Sequence, residues 1–157
     1  MFEWAIAAQL LSSDERVKRT EDDANQFAAA VTLRENLYGV FGPIANGESP
    51  QPEALAFVAS RAALATHSAL WVSSGPSYEP RWPGNSLESV GDQLADAALL
   101  LLRSTSVARI GSCAGCGWLF LDTSRAHARR WCSMNACGVR DKMRRYHQRH
   151  SSATSTS

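Results

Sequence analysis

The chain has 157 residues, 45% of them hydrophobic, with a formal net charge of +1, enough for one ordinary domain or a medium one plus a module too small to build its own core. Its longest apolar run, Ala97-Ala98-Leu99-Leu100-Leu101-Leu102, falls far short of a membrane span, and the stretch 2–9, with no basic flank and with Glu3 and Gln9 inside it, does not read as an export peptide. The near-zero charge hides an asymmetry: residues 1–108 carry seven Lys/Arg against thirteen Asp/Glu, a net of −6, whereas residues 109–157 carry nine against two, a net of +7.

The acidic part reads as helices. Residues 2–11 predict a short Ala-rich helix, and Ser13-Asp14-Glu15-Arg16 offers a cap and an acidic first turn for a second. A longer helix is predicted over about 22–41, with Ala24, Phe27, Ala28, Val31, Tyr38 and Phe41 near a 3.6-residue period and Gly42-Pro43 as its stop. Ser49-Pro50-Gln51-Pro52-Glu53 is a start signal for a helix that should reach Trp71, with Leu55, Val58, Ala62, Ala65 and Ala69 along one side. His67 within it has no partner constellation that would make it a catalyst. Residues 73–84, rich in proline and glycine, predict a loop or a short extended pair around Tyr78 and Trp82. A last helix resumes at Asn85-Ser86, with Leu87, Val90, Leu94, Ala97, Ala98 and Leu101 inward, Asp92, Gln93 and Asp96 outward, and a Leu99–Leu102 run that predicts cover on more than one side. No phosphate loop, HExxH or nucleophile elbow occurs here, so no catalytic set is proposed.

All four cysteines lie in the basic part, as Cys113-Ala-Gly-Cys116, fifteen residues, then Cys132-Ser-Met-Asn-Ala-Cys137. Two close thiolate pairs suit a tetrahedral structural zinc ion. Paired cysteines in a cytoplasmic, reducing setting point to metal or thiol redox chemistry rather than disulfides, with an iron–sulfur site as a further alternative. Gly117 to Asp122 is β-prone, 123–128 is a polar turn and Arg129-Arg130-Trp131-Cys132 leads back, so a hairpin is expected between the pairs, with Trp118, Phe120 and Trp131 as a lid over the thiolates. Zinc in such a module contributes on the order of 10–16 kcal/mol to folding.

After Cys137 a helix is expected, with Val139, Met143, Tyr146 and His150 as an inward stripe flanked by Arg140, Lys142, Arg144, Arg145 and Arg149. Arg125, Arg129 and Arg130 would extend the same cationic surface, which suits a polyanion because arginine matches phosphate and guanine edges. His127, His147 and His150 are not needed as ligands beside four thiolates. Ser151 to Ser157 predicts a disordered tail. The expected architecture is mainly α: a helical body over 1–108 and a small treble-clef-like finger of knuckle, β-hairpin and helix over 109–150.

These residues carry a resemblance. Cys113-Ala-Gly-Cys116-Gly-Trp-Leu-Phe-Leu-Asp-Thr-Ser and Arg129-Arg130-Trp131-Cys132-Ser-Met-Asn-Ala-Cys137-Gly138-Val139-Arg140 resemble the CGNR zinc finger that ends bacterial ABATE-domain proteins, described as stress-induced transcription regulators. The body, including Leu33-Arg34-Glu35-Asn36-Leu37-Tyr38, is similar to the ABATE region. The resemblance implies zinc on Cys113, Cys116, Cys132 and Cys137, DNA as the finger's partner and transcriptional regulation, with the body sensing a ligand or forming a homodimer. Two departures stand out: Val139 replaces the signature asparagine, and family members carry a further segment before the part that Phe2-Glu3-Trp4-Ala5 resembles. Rival readings keep the finger but give it RNA or a protein as partner, or make its thiols a redox switch. An enzyme is not expected, because a four-thiolate zinc site is coordinatively closed.

Overall fold

In a computed structural model of the chain, residues 23–84 and 86–153 are described. The two helices expected within 2–16 lie outside them. The remainder forms two compact units, one running to Val40 and resuming at Pro50–Thr105, the other made of Phe41–Ser49 and the chain from Ser106 onward.

Helix α1 spans Asp23–Ala45 and belongs to the first unit as far as Val40, its remaining residues to the second. Of its apolar positions only Leu33 and Val40 are fully buried, while Phe27 and Tyr38 are more than half exposed, so the expected stripe is narrower than the periodicity implied. The helix also runs through Pro43 instead of stopping at Gly42-Pro43. So near the end, the missing N–H costs only the bond to Gly39's carbonyl, and closure is left to the next turn. There Asn46 N and Glu48 N both donate to Pro43 O at 2.9 Å, with Gly47 at φ +77°.

Helix α2, Pro52–Ser68, begins as the proline and Glu53 in its first turn dictate and buries Ala54, Val58, Ala62 and Ala65. Small side chains allow close approach: a Cβ on Gly39 would lie 3.1 Å from Ala54 Cβ. The helix ends three residues before Trp71. Thr66 Oγ1 and Ser68 Oγ donate to the carbonyls of Ala62 and Ala65, and Ala69 is extended, which hands the chain to a strand.

Strands β1, Leu70–Ser74, and β2, Ser77–Arg81, form an antiparallel ribbon in the register Leu70↔Arg81 through Ser74↔Ser77. The extended pair thus begins earlier than the proline and glycine content suggested. Trp82 Nε1 donates to Ala65 O at 2.7 Å and ties the ribbon to α2.

Helix α3, Leu87–Arg103, opens on a reciprocal cap in which Ser89 N donates to Ser86 Oγ and Ser86 N to Ser89 Oγ. It packs on α2 and buries Leu87, Val90, Gly91, Asp92, Ala95 and Ala98. Asp92, expected on the outer face, is buried because Arg61 of α2 pairs with its Oδ1. Leu100, expected to be covered, is 61% exposed. A groove of about 710 Å³ between α1, α2 and α3 is lined by residues including Leu33, Phe57, Leu64 and Leu87, with Arg61 and Asp92 also on its wall.

The second unit contains a 3₁₀ turn (Thr105–Arg109), strand β3 (Ile110–Ser112), strand β4 (Leu119–Leu121), a π-helical turn (Met134–Gly138) and helix α4 (Val139–Ala153). β3 and β4 pair antiparallel, Gly111 opposite Phe120. The hairpin therefore straddles the first cysteine pair instead of lying between the two pairs. Gly111 makes this possible, since the Phe120 ring sits 3.1 Å from where a Cβ would be. Helix α4 extends to Ala153, into the segment expected to be a disordered tail. No helix among the described residues is long and apolar enough to cross a membrane.

Candidate metal centre and nucleic-acid interface

β3 delivers Cys113, and the chain then wraps around it. Cys116 N and Gly117 N donate to Cys113 O, Cys113 N donates to Trp118 O, and Gly115 N reaches Cys113 Sγ at 3.4 Å. Gly117 closes this knuckle at φ +71°, a conformation that glycine adopts without strain. Ala114 N donates to Arg130 O at 3.1 Å, which brings the returning chain alongside. Cys132 precedes the π-helical turn, and Gly138 N donates to Ser133 O across it, which places Cys137 over the knuckle. Gly115 permits that approach, since a Cβ there would lie 3.1 Å from Cys137 Cβ.

The four Sγ atoms all lie within 4.8 Å of one another. Cys116 and Cys132 Sγ are 3.6 Å apart, Cys132 and Cys137 Sγ 3.8 Å. A zinc ion with Zn–S bonds near 2.3 Å requires tetrahedron edges of about 3.8 Å, so the donor set fits one zinc ion. Cys113 and Cys137 are buried and Cys116 is exposed.

The thiols also need a cation electrostatically. Burial opposes ionisation of Cys113, but N–H groups of Cys132, Gly115 and Cys116 outweigh it and bring the thiol down to about 6. Cys132 is pushed up to about 12 by burial and by its hydrogen bonds to the other three thiols. Cys137 is raised by its contact with Cys116 and by burial, with Arg140 acting the other way. The Cys113 thiolate forms readily, and Cys132 and Cys137 resist ionising beside it. A multivalent cation at the centre removes that conflict.

Asp122, which sequence reasoning passed over, organises the loop between the pairs. It is buried, its Oδ1 accepts from Ser124 N at 2.8 Å, and its Oδ2 accepts from Arg129 N at 3.0 Å. Ser124 and then Arg129 hold its carboxyl down at about 2. Its folded value lies below the ordinary carboxylate value near 4, so this contribution is present above about pH 4 and is lost as pH falls toward 2. The available signal was Asp-Thr-Ser directly after a β-prone run, an Asx-turn pattern.

The basic residues divide by what they touch. Arg129 turns into the finger: Nε donates to Trp131 O, Nη2 donates to Cys132 O, and the guanidinium lies 4.8 Å from the Phe120 ring centroid. Arg140 Nη2 donates to Cys137 Sγ at 3.3 Å. Arg144 and Arg145 both pair with Asp141, at 2.5 and 3.0 Å, a link foreshadowed by the i, i+3 and i, i+4 spacing. Arg130 lies 5.1 Å from the Trp131 ring centroid and Arg125 is exposed. Lys142, Arg145, Gln148 and Arg149 line a shallow groove on α4.

Two expectations change here. The stripe Val139, Met143 and Tyr146 does not pack inward: each is about half exposed. The lid is likewise partial, with Trp131 and Phe120 half-buried and Trp118 68% exposed. His127, His147 and His150 are outside the cysteine cluster.

A family model described as "CGNR zinc finger" matches residues 109–150, and the ABATE model, described as "Putative stress-induced transcription regulator", matches residues 1–105. The chain belongs to the ABATE family. Its two models are of regulator and zinc-finger types, not of enzymes. No curated protein matches it. In this ABATE-family chain the signature reads Cys137-Gly138-Val139-Arg140, with the cysteine in the cluster, the glycine buried under Met134, and the arginine on a thiol. Val139, in place of the asparagine, is 49% exposed.

Proposed function

We propose that this protein is a zinc-dependent, DNA-binding transcription regulator of the bacterial cytoplasm, with Cys113, Cys116, Cys132 and Cys137 as the zinc ligands. The observation that supports DNA as partner is the exposed helix α4 beside the cysteine cluster, with Lys142, Arg145 and Arg149 on one face and Gln148 at its border. Side chains at i, i+3 and i+7 on a helix project in one direction, and guanidinium and ammonium groups so arranged suit phosphates and guanine edges in a major groove. Arg144 on the same helix and the exposed Arg130 and Arg125 of the loop between the cysteine pairs would supply further phosphate contacts. Arg129 and Arg140, counted with them by sequence, act instead on the finger's own backbone and thiol, so their effect on binding is indirect.

Binding of the zinc-loaded chain to duplex DNA and to RNA of matched length and ionic strength tests this reading. DNA should bind more tightly, and Lys142→Ala with Arg149→Ala should lower affinity and flatten its salt dependence without loss of zinc. An unchanged salt slope would place the phosphates elsewhere. A second reading has an observation of its own: Tyr146 and His150 are exposed with ring centroids 4.0 Å apart, a platform on which unpaired bases could stack. Tighter binding to single-stranded RNA, lost in Tyr146→Ala, would favour it over DNA.

A further inference from the structure

The β1–β2 ribbon is exposed on both faces. Leu70, Trp71, Val72 and Tyr78 are 58, 54, 40 and 70% exposed, and alternation puts Leu70 and Val72 on one face and Trp71 with Tyr78 on the other. A two-stranded ribbon is marginal alone in water, and apolar side chains left exposed on both of its faces suit further association. Its orientation is fixed from below by the bond of Trp82 to α2.

Its two edges are protected unequally. Gly75, at φ +60°, and Pro76 make a two-residue turn, so the flanking pair Ser74↔Ser77 is hydrogen-bonded and the pairs alternate from there. Ser73↔Tyr78 and Trp71↔Pro80 are then the pairs whose backbone N–H and C=O groups point outward. On β2 one of those outward donors is missing because Pro80 has no N–H, and Glu79 and Arg81 add charge, the usual defences of an edge. β1 reads Leu-Trp-Val-Ser-Ser, with neither proline nor charge, and Trp71 and Ser73 each direct a donor and an acceptor outward.

We propose that β1 pairs antiparallel with β1 of a second copy about a two-fold axis at Val72, giving a four-stranded sheet in the order β2-β1-β1-β2. In that register Trp71 lies opposite the second copy's Ser73 and Ser73 opposite its Trp71. Each of these pairs can exchange two backbone hydrogen bonds, and Val72 meets its own equivalent across the axis. The strand is thus its own complement, as an isologous contact requires. The absence of charge along β1 favours a second copy over a charged peptide. Edge pairing leaves the faces of the sheet open and sets only Leu70, Trp71 and Val72 of each copy against the other's β1, so the apolar area buried is well below that of a standard interface. The dimer is therefore weak and concentration-dependent. Because the body carries net negative charge, added salt strengthens it, opposite to the effect expected on phosphate binding. The inference does not depend on what the finger binds.

Sedimentation equilibrium of the zinc-loaded full chain without nucleic acid tests it, for wild type, Ser73→Pro and Val72→Lys. The first variant removes an outward donor; the second sets like charges face to face at the axis on an exposed position that the fold does not need. Wild type should dimerise reversibly, more tightly at higher salt, with the amides of Trp71 and Ser73 exchanging more slowly as concentration rises. Both variants should raise the dissociation constant at least tenfold. A wild type that stays monomeric overturns the proposal. So does a dimer that Val72→Lys leaves unchanged, or one in which those two amides gain no protection.

Discussion

Arg140 stands where a thiolate needs help. Four thiolates around one divalent cation leave a net charge of about −2, and the guanidinium that donates to Cys137 Sγ at 3.3 Å offsets part of it from just outside the cluster. Arg140→Ala should therefore weaken zinc binding by about 10–100-fold, read by competition with a chromophoric chelator, and Arg140→Lys should recover part of the loss as a point charge without the fork. Equal zinc affinity in Arg140→Ala would reduce the residue to part of the helix surface. The thiols make a second prediction. Zinc takes the deprotonated form, while Cys132 is held up at about 12 and Cys137 is also raised. Between about pH 6 and 9 both must surrender a proton on binding, so apparent zinc affinity rises with pH, by roughly two decades per unit or more. Isothermal titration in buffers of different ionisation enthalpy counts the protons; fewer than two per zinc would contradict this. Sequence grouped Arg129 and Arg140 with the outward arginines because charge and helical spacing do not tell whether a side chain returns to its own backbone.

At the scale of the element, α2 and α3 are joined by small residues and one ion pair. Arg61→Ala leaves Asp92 buried, with its side chain only 11% exposed, beside no partner cation. Breaking such a pair costs about 3–5 kcal/mol, and the partial exposure of Arg61 places this case near the lower figure. Thermal unfolding should show that loss, and Arg61→Met with Asp92→Leu should restore most of it. Ser86→Ala removes the acceptor for Ser89 N and should cost about 1 kcal/mol. The starts of α2 and α3 and the cysteine spacing were legible, because caps, first-turn prolines and paired thiols act over a few residues. Their ends were less so. α1 passes Pro43 because the break falls where few bonds are at stake, and α2 gives way before Trp71 to a strand whose pairing depends on β2. Asp92 looked like a solvent residue because its partner lies 31 positions away, a separation that periodicity does not report. Val139, Met143 and Tyr146 fit a helical period correctly but stay about half exposed, since a hydrophobic stripe specifies a face and not what covers it.

For the molecule as a whole, the two halves of the sequence differ in what holds them together. α1, α2 and α3 bury Leu33, Val40, Val58, Leu87 and Val90 around a core that contains no thiol. Over residues 109–150 the buried residues are Cys113, Asp122, Cys137 and Gly138, so the apolar contribution is slight and the metal must supply the folding free energy. Chelation should therefore melt the finger and leave the body folded. Circular dichroism should retain most of its helical signal while α4 frays, and thermal unfolding of α1–α3 should keep its midpoint. Cys132→Ser should give the same result without chelator. Nucleic-acid binding should disappear together with the finger and return when zinc is restored, because the residues of α4 are oriented only while Cys137, at its start, is held. Charge alone would survive this treatment, since the +7 of residues 109–157 does not depend on folding. Binding that persists after metal removal, with the same salt slope, would therefore identify a non-specific basic tail. Binding that vanishes with the metal requires an ordered helix, and with it a role for zinc in presenting Lys142, Arg145 and Arg149 on one face.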